Sequence, residues 1–222
     1  MTIIEPKRRD VQHPAEIKKH SSPLRLWHWL NAIVITGSLL TVLLNSTLLK
    51  TKKNAASIKA NLHASGVMVT DQQARSVAHE LSDKVWTLHT YFGYALAALL
   101  LFRLILEFFQ LADQKFIRKL KSATHQFKIQ KRHRELAIHE FWVKTIYAIF
   151  YLMLVIMVLT GLCLAFEDDV PMLKSIHAFR QIHAFTMYLI LAFITVHVVG
   201  VFLAERKDSG GIVSDMINGG KK

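Results

Sequence analysis

The sequence predicts an all-α integral membrane protein, a four-helix bundle with both termini in the cytoplasm. Of the 222 residues, 52% are hydrophobic, and the mean hydropathy is +0.27, which is rare for a soluble domain. Four apolar segments are long enough to cross about 30 Å of hydrocarbon, which takes roughly 20 residues of helix. The distribution of Lys and Arg then sets the orientation. The expected spans are 26–49, 85–109, 141–166 and 182–204.

Local signals justify the expected spans in turn. Ser22 and Pro23 suit the N-cap and the first position of a helix that continues into span one. Span two is interrupted by Arg103 and Glu107, and span three carries a charge only at Lys144, near its start. Span four contains no Asp, Glu, Lys or Arg. The four spans should form one domain.

The remaining segments are expected to lie outside the hydrocarbon. We predict a basic cytoplasmic tail over 1–22, a four-span domain over 23–204 and a cytoplasmic tail over 205–222 that includes a short amphipathic segment. The larger outer loop, 50–84, should contain a surface helix near Asp71–Lys84. Residues 110–140 should form a basic cytoplasmic connection.

The charge distribution indicates topology and not nucleic-acid binding. The N-terminal tail, the connection between spans two and three, and the C-terminal tail together carry 18 Lys and Arg residues, whereas the opposite side carries 8. The more basic side should be cytoplasmic. The net charge of +12 is spread over loops on both sides, which suits contact with anionic lipid headgroups and argues against a nucleic-acid partner. No cleavable signal peptide is expected, because the first 25 residues are polar and basic.

The cysteine content limits which redox cofactors the chain could hold. The single cysteine, Cys163, lies inside the third span, and no CxxCH motif is present, so covalent c-type haem is excluded. No cysteine cluster could hold an iron–sulfur centre, and Gly-rich phosphate-binding motifs are absent. If the chain moves electrons, non-covalent haem is the expected carrier.

Four histidines lie where two bis-histidine haems would need them. His183 and His197 are fourteen residues apart on span four, which places them on one helix face about 21 Å apart along the axis. His28 begins span one on the cytoplasmic side and matches His197 in depth. His89 begins span two on the outer side and matches His183. We therefore predict the iron-ligand pairs His28–His197 and His89–His183, because ionisable residues within spans are usually functional.

Two arginines are candidates for binding haem propionates. Arg103 lies fourteen residues after His89, on the same face of span two and near the depth of the His28–His197 pair. A guanidinium group suits carboxylate recognition. The alternative is an ion pair with Glu107, one turn later. Arg25 could serve the same haem.

Other interpretations of the histidines and small residues stay open. Each histidine could be an interfacial or core residue bonded to a neighbour. His139 competes with His28 and His197, and His177 competes with His183; Arg180 and His177 could also serve the outer haem. Glycines in the spans could give a porphyrin room or let helices pack closely. These glycines are Gly37, Gly93, Gly161 and Gly200.

Several motifs together resemble one family. They are RLWHW at 25–29, LHTYFGY at 88–94, TGL at 160–162, the His-x13-His of span four and GGIVSDMING at 210–219. In order and spacing they are similar to the bacterial cytochrome b561 family, over most of residues 20–220. That family includes the cytochrome b subunits of membrane-bound nickel–iron hydrogenases and of thiosulfate reductases.

The resemblance implies a function. In the family, four helices of the bacterial cytoplasmic membrane hold two b-type haems between a quinone pool, menaquinone or ubiquinone, and a partner redox subunit. It supports the four histidines above as iron ligands. The 50–84 loop is longer than in the compact members that work alone. Two rivals are a free-standing superoxide:quinone oxidoreductase and a haem-free anchor or transporter subunit.

Overall fold

The computed structural model describes residues 22–109, 134–174, 176–206 and 212–219, and all regular secondary structure in these ranges is α-helical. The N-terminal tail before Ser22 and the connection 110–133 lie outside the described residues. The helices are α1 (Ser22–Thr47), α2 (Thr51–Ala64), α3 (Asp71–Phe109), α4 (Arg134–Ala165), α5 (Pro171–Lys174), α6 (Ala178–Glu205) and α7 (Ile212–Asn218).

Four of these helices are long and apolar enough to cross a membrane. They comprise α1, residues Asp71–Glu107 of α3, residues Thr145–Ala165 of α4, and α6. Many of their large apolar side chains are exposed, which hydrocarbon tolerates and water does not. The predicted all-α membrane fold with four spans is therefore confirmed. The cytoplasmic location of the termini stays a prediction.

Two helices extend well beyond their apolar segments. Helix α3 has 39 residues and is about 58 Å long, nearly twice the thickness of the hydrocarbon. Its first part covers the expected surface helix, which is not separate but continuous with span two. Helix α4 begins at Arg134, seven residues before the expected start of span three. Nothing in 71–84 breaks a helix, since the segment contains no Gly or Pro.

The chain forms two compact units, whose boundaries fall within α1 and α3. In the unit Leu30–Ala98, α1 and α3 pack antiparallel, because successive contacts run up one helix and down the other. A Cβ atom at Gly37 would lie 2.5 Å from the ring of Phe92, so any larger residue there would force the ring to shift. Further along, Ser82 donates a hydrogen bond of 3.0 Å to the side-chain oxygen of Asn45.

The same unit contains a helical hairpin, α2–α3, that the sequence analysis did not predict. Gly66, at a φ of 79°, ends α2 in the left-handed conformation that glycine adopts without strain. Helix α3 then begins with a reciprocal cap. The hydroxyl of Thr70 accepts from the backbone N–H of Gln73, and the Gln73 side chain accepts from the N–H of Thr70.

Small residues form the contact between the two helices of this hairpin. Ala55 of α2 is buried against Ala74 and Ala78 of α3, with Ile58 packed beside them. Lys59 pairs with Asp71 at 2.6 Å on the surface. Alanine lets the helices approach closely but gives only a weak apolar stripe, which is why α2 carries no clear helical pattern in the sequence.

The other unit contains residues 1–29 and 99–222 and is built around α4 and α6. These helices pack antiparallel, and the rings of Phe150 and Phe193 stack with centroids 4.3 Å apart. Helix α5 contacts α4 within the expected outer turn, and α7 contacts α6. Helix α7 corresponds to the short C-terminal segment predicted to be amphipathic.

Candidate functional site

His28 of α1 and His197 of α6 face each other in the α4–α6 unit. Their ring centroids are 6.3 Å apart, with an angle of 61° between the ring planes. Two imidazoles bound on opposite sides of one transition metal, with bonds of about 2 Å, have ring centres roughly 6 Å apart. Both rings are half-buried, and Phe193 stacks on His197 with the planes 4° apart. The pair has the separation that a shared axial metal requires.

In the same unit, Arg103 lies at the centre of a buried polar cluster. Its side chain is 6% exposed, and its NH1 group pairs with Glu107 at 3.2 Å. Its Nε group donates to the hydroxyl of Tyr151 at 3.0 Å, and the guanidinium lies over the rings of Tyr151 and Trp27. The ion pair with Glu107 that the sequence left open is present. The remaining nitrogen, NH2, makes no hydrogen bond to the described residues.

His89 of α3 is held through its Nδ1 atom by α1. The hydroxyl of Thr41 lies 2.9 Å away, and the carbonyl oxygen of Ser38 lies 3.3 Å away. The Thr41 hydroxyl donates its single hydrogen to the same Ser38 carbonyl at 2.6 Å. The Ser38 carbonyl can only accept, which favours a proton on Nδ1, and the hydroxyl oxygens of Thr41 and of Ser38, the latter 3.3 Å away, can then accept as well. Nε2 is then the nitrogen with the lone pair that a metal requires.

His183 of α6 is held in the same way by α4. Its Nδ1 atom lies 3.0 Å from the hydroxyl of Thr160, which donates its hydrogen to the carbonyl of Ile156 at 2.7 Å. With its hydrogen on the carbonyl, the hydroxyl oxygen can accept from Nδ1–H, which leaves the lone pair on Nε2. A Cβ atom at Gly161 would lie 3.1 Å from Cε1 of His183, so this glycine makes room for the imidazole ring.

Comparison with known families decides the classification. The model of the family described as prokaryotic cytochrome b561 matches residues 19–219, which is nearly the whole chain. The chain belongs to the prokaryotic cytochrome b561 family. No curated protein and no solved structure matches it significantly.

Membership in the cytochrome b561 family implies haem b binding, and the donor set fits that group. A bis-histidine haem needs neutral imidazoles with one unprotonated nitrogen, and metal-bound histidines commonly donate their other N–H to a nearby oxygen. His89 and His183 have this arrangement, and His28 and His197 have the spacing. His89 and His183 belong to different units, so their pairing stays a prediction.

Two glycines next to these histidines border open space. A Cβ atom at Gly93, one turn after His89, would meet no described atom within 4 Å, and the same holds at Gly200, three residues after His197. These positions fit the prediction that small residues give a porphyrin room. Gly37 and Gly161 accommodate protein rings instead, as described above.

The second predicted arginine is bonded to the C-terminal helix. The NH1 group of Arg25 donates to the carbonyl of Ile217 in α7, and its NH2 group donates to the hydroxyl of Ser22 at 2.9 Å. Trp29 also donates to α7, at the carbonyl of Met216. Arg25 therefore fixes α7 against the start of α1, three residues before His28.

His177 and Arg180, two of the competing candidates, lie outside these clusters. His177 is exposed at the start of α6, and the exposed Arg180 pairs with Glu167 at 3.1 Å. The side chain of His139 lies outside the described residues. Among the residues that the structure describes, no group of three or more His, Cys, Asp or Glu side chains could hold a metal ion.

Sequence reasoning missed the hydroxyl residues that contact the histidines and Arg103. Thr41, Thr160 and Tyr151 are neutral, and hydroxyl groups are common in membrane helices, where they bond to their own backbone. Thr160 belongs to the TGL motif at 160–162. A matched depth of Thr160 and His183 on neighbouring spans was the available signal, but it requires knowing that α4 and α6 are adjacent.

Proposed function

We propose that this cytochrome b561 family protein is a di-haem b-type electron carrier of the bacterial cytoplasmic membrane. It would pass electrons across the bilayer between the quinone pool, menaquinone or ubiquinone, and a partner redox subunit. The observation that carries the proposal is the geometry of His28 and His197, two half-buried imidazoles on different helices with centroids 6.3 Å apart.

The two proposed ligand pairs would place one haem near each side of the membrane. His28 and His197 would bind the haem on the cytoplasmic side, and His89 and His183 would bind the haem on the outer side. Each haem, when bound, supplies reversible one-electron transfer. The spacing of the two α6 histidines, about 21 Å along the helix, covers most of the hydrocarbon thickness. Two haems would therefore replace one long electron transfer across the membrane by shorter transfers.

Arg103 would orient the cytoplasmic-side haem. Its Nε and NH1 groups are fixed by Tyr151 and Glu107, which leaves NH2 to donate to a propionate. Arg25 is the second candidate for this role, although its described bonds hold α7 and Ser22. Both side chains lie in the same unit as His28 and His197.

The test is haem content per chain in purified protein, measured by the pyridine haemochromogen assay. We expect two b-type haems in the wild type and one after His28→Ala, His197→Ala, His89→Ala or His183→Ala. Within a predicted pair, the double variant should lose no more haem than either single variant, because one missing ligand already disables that haem. His177→Ala is the matched control and should retain both haems.

Other outcomes identify which part of the proposal is wrong. One haem in the wild type would mean that one pair is misassigned. No haem, from cells supplied with haem, would leave the anchor hypothesis. Coupling of His28 to His183 would contradict the predicted topology.

A further inference from the structure

We propose that Thr41 and Thr160 are positioning residues that jointly set the reduction potential of the outer haem. The inference rests on the proposed function, because it takes His89 and His183 as the two axial ligands of one haem. Each threonine acts through a histidine and contacts neither iron nor porphyrin in this account.

The hydrogen-bond direction at Thr41 follows from a count of protons. A threonine hydroxyl has one hydrogen, and Thr41 donates it to the Ser38 carbonyl at 2.6 Å. As an iron ligand through Nε2, neutral His89 carries its proton on Nδ1, so the bond of 2.9 Å runs from Nδ1–H to the hydroxyl oxygen. The Ser38 carbonyl, which can only accept, also lies 3.3 Å from the same Nδ1 and provides a second acceptor.

The same count applies at Thr160, on another helix. Its hydrogen goes to the Ile156 carbonyl at 2.7 Å, and His183, as an iron ligand through Nε2, donates from Nδ1–H to the hydroxyl oxygen at 3.0 Å. The ring also lies close to Gly161 of α4, where an added Cβ atom would be 3.1 Å from Cε1. Two ligands on α3 and α6 thus have the same type of hydroxyl support, supplied by α1 and α4.

This support changes the electronic character of the ligand. An imidazole that donates its N–H to an oxygen gains basicity at the other nitrogen and becomes a stronger donor to iron. A stronger donor stabilises the oxidised metal more than the reduced metal, which lowers the reduction potential. Both threonines should therefore act in the same direction on the same haem.

The experiment is a redox titration of the purified full chain with both haems bound, followed at the haem absorption bands. Thr160→Val removes the hydroxyl and keeps the side-chain shape, and Thr41→Val does the same on α1. We expect Thr160→Val to raise one of the two midpoint potentials by an amount equal to about a tenfold change in the oxidised-to-reduced ratio, or 59 mV for one electron. Thr41→Val should raise the same potential by less, because the Ser38 carbonyl remains as an acceptor.

Two further variants separate hydrogen bonding from packing. Thr160→Ser and Thr41→Ser return the hydroxyl without the methyl group and should restore the wild-type potential. Thr195→Val is the matched control, since Thr195 is exposed in α6 and its hydroxyl donates to the carbonyl of Leu191 in its own helix. It should leave both potentials unchanged.

Several results would overturn the inference. The inference is wrong if both valine variants keep the wild-type potentials. It is also wrong if the two variants shift the potentials of different haems, because the threonines would then act on separate centres. If a valine variant loses one haem, full recovery by serine supports the inference, whereas loss that serine does not repair indicates packing and refutes it. If the wild-type protein does not bind two haems, the proposed function itself is wrong. The haem assay tests this without any threonine variant.

Discussion

At the residue scale, Arg103 and Glu107 form an ion pair whose side chains are 6% and 18% exposed. Removing one partner of a buried pair leaves an uncompensated charge and costs about 3–5 kcal/mol, whereas replacing both by apolar residues is often neutral. We therefore expect Arg103→Leu and Glu107→Leu each to lower the temperature of thermal unfolding. The double variant Arg103→Leu/Glu107→Leu should recover most of the loss in the same measurement.

The double variant also separates the two interpretations of Arg103. If Arg103 only neutralises Glu107, the variant should bind the cytoplasmic-side haem with an unchanged potential. If NH2 also donates to a propionate, stability should recover while that haem is lost or its potential shifts. A double variant as unstable as the single ones would contradict the buried-pair account.

How far the sequence predicts the site depends on the distance between the interacting residues along the chain. The Arg103–Glu107 pair was predictable because i,i+4 neighbours meet on any helix. The spacing of His183 and His197 was predictable for the same reason. The contacts of Thr160 with His183 and of Tyr151 with Arg103 join helices that are far apart in sequence, and no local pattern encodes them.

At the scale of helices, the spans were predictable and the hairpin α2–α3 was not. A span is identified by sustained hydrophobicity, which is independent of its neighbours. Helix α2 depends on three alanines that pack across the hairpin, Ala55, Ala74 and Ala78, and alanine contributes little to a hydrophobic pattern. The caps at Gly66 and at Thr70–Gln73 were the readable local signals for the ends of these helices.

The alanine contact makes a prediction for the hairpin. Ala78 is fully buried, and Ala78→Leu would overpack the contact at a cost of about 1–3 kcal/mol. We expect α2 to separate from α3, so that trypsin cleaves faster after Lys52, Lys53 and Lys59. The control is Ala60→Leu, at an exposed position of α2, which should not change cleavage. Equal cleavage of the Ala78→Leu variant and the wild type would contradict the packing described here.

At the scale of the whole molecule, the lipid bilayer takes the place of a large protein core. Few large apolar side chains of the described residues are buried, and the largest fully buried side chain among them is that of Leu154. Polar side chains such as Arg103, Thr41, Thr160 and Asn45 are instead among the buried ones. Burial of polar rather than apolar side chains is typical of membrane helices, which associate through polar contacts and small residues. Apolar side chains give little drive for association there, because lipid tails contact them as favourably as another helix does.

The orientation in the membrane is the remaining prediction at this scale. Because basic residues are retained in the cytoplasm, the ratio of 18 to 8 predicts that the C-terminus is cytoplasmic and that segment 50–84, which contains the turn at Gly66, is outside. Green fluorescent protein fused after Lys222 should fluoresce, and alkaline phosphatase inserted after Gly66 should be active. Phosphatase inserted in the connection 110–133 is the control and should be inactive. The opposite pattern would exchange the sides of the two proposed haems, so that His28 and His197 would face the outer partner and His89 and His183 the cytoplasm.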